Sequence, residues 1–232
     1  MTSAFLFVIA LGLSAALVVV WRNTRLAARA EAIRAFPLPR GLYDKLREKF
    51  PHLTLKDCQL VGHALRHFFL AHLKSGRKFV SMPSVVADEL WHEFILHTKS
   101  YEQFCMQAFG RFMHHTPAVV LGSAKISNAG LRRCWWHTCR EEHIDPRKPT
   151  RLPLLFALDA KLGIPGGFRY VPDCGIPRRE GTDAVSGAVV YCAGEFSSPD
   201  FDGGTDGLDD AASAEGGDGG SGCGGGCGGG GD

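Results

Sequence analysis

The run Trp91-His92-Glu93-Phe94-Ile95-Leu96-His97-Thr98, WHEFILHT in one-letter code, decides the fold class. Its apolar residues recur at the spacing of a helix rather than a strand. Followed in both directions, the pattern predicts one helix opened by Pro83 and Ser84 and running to about Phe109. Leu90, Trp91, Phe94, Ile95, Thr98, Tyr101, Phe104, Cys105, Ala108 and Phe109 then share one broad buried face. The same run pairs His-Glu with a second His, which invites comparison with a zinc-protease helix. That chemistry needs its two imidazoles four residues apart, on one side of the helix. Position 96 is Leu, and His97 stands a further residue along, about 140° round from His92. A protease centre is excluded.

What the helix does offer is an outward edge. Asp88 and His92 lie one turn apart on the side away from the buried face, where a carboxylate can orient an imidazole. His114 and His115 follow the helix closely, and a loop folding back along it would bring one of them to Asp88 and His92. A set of Asp88, His92, and His114 or His115 suits zinc or non-haem iron and leaves coordination positions open. The bland alternative is that these histidines cap helices and fill polar gaps. Asp88, Glu89, His92 and Leu96 would equally serve as a face for a protein partner. Cys105 falls in the apolar face and reads as a small core residue.

Working outward, the flanking segments are also helical. Residues 42–50 (LYDKLREKF) make a short helix ending at Pro51. Thr54 or Asp57 caps the next, which continues to Lys74 and stops at Ser75-Gly76. His63 and His67, four apart, sit on the edge of its apolar face as a further His pair, more simply read as surface neighbours. A helix over roughly Leu131 to His143 contains Cys134-Trp135-Trp136, and Leu152 to Leu162 forms a last short one. Phe168 to Val171 has strand character without an obvious partner. The expected fold is mainly α: a domain of about five helices over residues 36–175.

Two segments flank that domain. Residues 4–21 form 18 uncharged positions ending in Trp21, close to the ~20 needed to cross a bilayer. Arg22, Arg25 and Arg29 follow, so the positive-inside bias makes residues 1–22 a single-pass anchor with its N-terminus outside. The body is then expected in the cytoplasm, at the bacterial inner membrane. A cleaved signal peptide is the rival, but the segment lacks a basic n-region and its apolar run is too long. Residues 23–35 read as a basic juxtamembrane helix, ended by Pro37 and Pro39. At the other end, residues 176–232 are acidic and glycine-rich, and cannot bury enough apolar surface to fold.

Charge is divided accordingly. Of 24 acidic residues, 11 lie from Glu180 onward, where there is no Lys or Arg, leaving 13 against 26 basic residues before it. A basic body beside a membrane suits contact with anionic lipid, through Arg22, Arg25, Arg29, Arg34, Arg40, Lys45 and Arg47. No nucleic-acid recognition motif accompanies the charge. The eight cysteines include no CxxC pair and read as free thiols.

The run Asp88-Glu89-Leu90-Trp91-His92, with Thr98, Tyr101, Phe104-Cys105, Gly110-Arg111-Phe112 and His114-His115-Thr116-Pro117, resembles the Asp-x-x-Trp-His…Tyr…Cys pattern of the glycine-rich domain-containing proteins and their bacterial relatives. Position 94, where plant members commonly carry a second His, is Phe here. The resemblance implies a helical domain and no particular reaction. An interaction module on a membrane anchor, or a zinc- or iron-binding module, is the function expected.

Overall fold

Proline and glycine punctuation sets most of the helix ends. The computed structural model of the chain describes residues 2–39, 41–115, 124–172, 190–192 and 196, and within them the protein is mainly α. Seven helices appear in order: α1 (Thr2–Ala35), α2 (Leu42–Lys49), α3 (Leu55–Lys74), α4 (Val85–Leu96), α5 (Thr98–Ala108), α6 (Ala124–Glu141) and α7 (Leu154–Lys161). Two short strands, β1 (Arg169–Val171) and β2 (Val190–Cys192), complete the described elements.

α3 is the axis of the domain. Its buried residues, from Cys58 to Leu73, lie on nearly every side, and α1, α2, α4, α6 and α7 all pack around it. Such a helix needs a firm start, and Thr54 and Asp57 supply it jointly. The Thr54 hydroxyl accepts from Asp57 N–H at 3.2 Å, while the Asp57 carboxylate accepts from Thr54 N–H at 2.9 Å. This reciprocal capping box satisfies two donors that a helix otherwise leaves orphaned. His67, expected on the surface edge of α3, is buried beneath Glu142 of the α6–α7 connection. Burial alone would push the Glu142 carboxyl up, but the His67 ring 3.3 Å away and the hydrogen bond from Arg151 outweigh it and hold the group below its usual range.

α1 is one unbroken helix. Its stretch from Phe5 is long and apolar enough to cross a membrane. Its last turns belong to the domain rather than trailing from it: Ala30 and Ile33 are buried, and Arg66 of α3 donates to the carbonyl of Phe36 at 3.0 Å. The expected boundary at residue 36 is therefore too late, because the helix enters the core about two turns earlier.

The helix expected over residues 83–109 is two helices, α4 and α5, meeting at His97. The geometry requires the break. Trp91 Nε1–H donates to the Tyr101 hydroxyl at 3.2 Å, whereas ten residues of straight helix would separate the two by about 15 Å. Turning the chain at His97 lets both rings reach one core, and it leaves Thr98 exposed instead of buried.

β1 finds its partner far along the chain. Arg169, Tyr170 and Val171 pair in parallel with Val190, Tyr191 and Cys192, and Phe196 is buried against Trp135, Phe156 and Tyr170. The span expected to be unfolded from residue 176 thus contributes a strand and a core aromatic. The remainder of the tail lies outside the described residues, as do Arg40, Thr116, Pro117, Cys174, Cys223 and Cys227.

Candidate functional site: an Asp-His-His cluster at the start of α4

α4 is held at its N-terminus by two groups. The Ser84 hydroxyl accepts from Ala87 N–H at 3.2 Å. Asp159 of α7 reaches across to accept from the Ser84 hydroxyl and Val85 N–H, each at 2.7 Å, and from Val86 N–H at 3.2 Å. A fourth bond comes from Phe168 N–H at 3.0 Å. A carboxylate is favoured there by the helix dipole and by the unpaired N–H groups of the first turn. Gly167 leaves room for it, since a Cβ on Gly167 would stand 2.7 Å from that of Asp159.

With α4 fixed, Asp88 and His92 emerge on its outer side while Trp91 turns inward, tilted on Phe68 and edge-to-face with Phe69. The indole N–H begins a chain of hydrogen bonds: Trp91 donates to Tyr101, and the Tyr101 hydroxyl donates to the carbonyl of Met113 at 2.6 Å. Burial pushes the Tyr101 phenol far above its ordinary pKa, so it remains a donor. Pinned at Met113, the chain after α5 returns along α4 and delivers His115. Its Nε2 lies 3.0 Å from Asp88 Oδ1, and its ring packs against both Trp91 and His92, at 4.5 and 4.3 Å between centroids. His92 Nε2 is 3.8 Å from the other Asp88 oxygen.

One ligand atom from each of Asp88, His92 and His115 therefore falls within 4.8 Å of the others. A tetrahedral ion with bonds of about 2.0–2.1 Å sets its ligands roughly 3.3 Å apart. Small side-chain rotations span the difference. The site lies at the surface edge, with His115 at 14% side-chain exposure, Asp88 at 32% and His92 at 45%. His114 is not part of it: its side chain is exposed and its ring rests on Phe112. Glu89 is committed to an ion pair with Lys49, and Leu96 stands 72% exposed.

The buried thiols Cys58, Cys105, Cys134 and Cys139 are free, and burial raises all four pKa values. None has the electropositive, accessible setting of a nucleophile. Sequence reasoning did not find Tyr101, Met113 and Asp159 as positioning groups. The Trp91–Tyr101 spacing was on view, but its meaning depends on the break at His97.

Residues 28–196 match the model of the UCP032817-like family. No curated protein and no solved structure matches the chain.

Proposed function

The chain belongs to the UCP032817-like family, and we propose that its domain is a membrane-tethered metal-binding module, with zinc or iron held by Asp88, His92 and His115. The observation that carries this reading is the convergence of those three side chains from two separate segments, α4 and the loop after α5. Two imidazoles and one carboxylate form a donor set common to zinc and non-haem iron, and three protein ligands leave positions for water or a substrate. We also read α1 as a single-pass anchor with its N-terminus outside and the body in the cytoplasm, on the support of its apolar stretch and of Arg22, Arg25 and Arg29. The sequence likeness to glycine-rich domain-containing proteins runs through these residues and agrees with a shared helical site.

The test is elemental analysis of the full-length protein, purified without a His tag in mild detergent. About one zinc or iron per chain is expected, lost in His92→Ala and His115→Ala and retained in His114→Ala. A folded wild type free of both metals would sink the proposal. A second reading, a docking face for a protein partner, is favoured by the exposure of Leu96 one turn beyond His92. It ranks lower because Asp88 and Glu89 are already engaged within the chain.

A further inference from the structure

α3 ends in a Schellman turn: Gly76 N–H donates to the Leu73 carbonyl at 3.2 Å and Arg77 N–H to that of His72 at 2.8 Å. Arg77 itself sits in the left-handed region, at φ 65°, which residues with side chains seldom occupy. Its guanidinium donates to the carbonyl of Phe109 at the end of α5, at 3.0 Å. Arg111 donates to the carbonyl of Arg77 at 2.8 Å. Arg29 of α1 reaches the same place, its terminal nitrogen 2.7 Å from where a Cβ on Gly110 would stand. Three guanidiniums from three parts of the chain thus converge. Among the described residues no carboxylate pairs with any of them, and burial, then the charges of Arg29 and Arg111, lower the pKa of Arg77. Each carbonyl takes one donor, and an arginine has five. The cluster therefore combines like charge with unused donors, which is the arrangement an anion relieves.

The position of Arg29 says which anion. It lies eight residues beyond Trp21 on the same unbroken helix, about 12 Å along the axis, so its long side chain is within reach of the headgroup layer when α1 spans a bilayer. We propose that Arg29, Arg77 and Arg111 bind the phosphate of an anionic membrane lipid, of the phosphatidylglycerol type, where α1 leaves the bilayer. Planar guanidiniums engage phosphate oxygens in pairs, which a diffuse basic surface does not do. The inference rests on α1 being an anchor, which alkaline extraction of membranes tests separately, and it is independent of the metal.

The experiment is native mass spectrometry of the full-length protein in mild non-ionic detergent, offered equal phosphatidylglycerol and phosphatidylcholine. We expect retention of one phosphatidylglycerol at about tenfold preference, falling to parity in Arg29→Gln/Arg111→Gln and unchanged in Lys56→Gln, at an exposed side chain on α3 away from the cluster. Arg111→Gln alone, at an exposed side chain, should reduce the preference several-fold, and its melting curve checks the fold. Parity in the wild type, or full preference in the double variant, would overturn the proposal. So would displacement of the lipid by inorganic phosphate at the same concentration as by phosphatidylglycerol, which would mark a site for a soluble anion.

Discussion

Tyr101 shows how one hydroxyl places a residue it never touches. It receives Trp91 and gives to Met113, two positions before His115. Tyr101→Phe preserves the ring packing but strands a buried indole N–H and a buried carbonyl. The expected cost is about 1–3 kcal/mol in urea unfolding, with metal affinity at least about tenfold weaker by chelator competition, since loose support of a ligand carries that kind of penalty. Unchanged affinity in a destabilised variant would show that the loop finds its place without the phenol. At this scale the sequence was informative up to a point. The pairing of Asp88 with His92 follows from helix periodicity, whereas the choice of His115 over His114 depends on how the loop is pinned, which adjacent positions in a sequence cannot express.

Helices with a proline or Ser-Gly at their ends were legible, because those residues change backbone options locally. α2 falls within a residue of its expected limits, and α3 ends at Lys74 as expected and starts after Thr54, one of its two candidate caps. The break at His97 was not legible: Leu96, His97 and Thr98 are ordinary helical residues, and only the tertiary contact between Trp91 and Tyr101 demands the turn. The anchoring of α4 by Asp159 was hidden for the same reason, its partners lying more than 70 positions away. Asp159→Ala removes four acceptor contacts from buried or half-buried donors and should destabilise the domain by about 3 kcal/mol or more in urea unfolding. Asp159→Asn, which keeps an acceptor but sets an amide against N–H groups, should fall between that variant and wild type. Equal stability of all three proteins would show that Ser84 alone suffices to start α4.

Over the whole molecule, the domain begins earlier and ends later than composition implies. Ala30 and Ile33 belong to the core at one end. Phe196 does at the other, although the segment around it reads as polar and glycine-rich, since one aromatic and a three-residue strand scarcely alter an average over 57 positions. A chain ending after residue 175 should therefore melt at least about 5 °C lower than one ending after residue 200, given the ~3 kcal/mol that a buried Phe commonly contributes. Coincident melting curves would show that β2 and Phe196 add nothing.

The continuity of α1 has a geometric consequence. With no swivel between the apolar stretch and Ile33, an α1 that spans a bilayer as proposed would gear membrane and body together: each residue inserted between Trp21 and Ala30 would turn the body by about 100° and shift it by about 1.5 Å. In that arrangement the side of the protein that looks along the bilayer plane, and so the side a laterally diffusing neighbour meets first, would be set by counting residues rather than by chance tumbling.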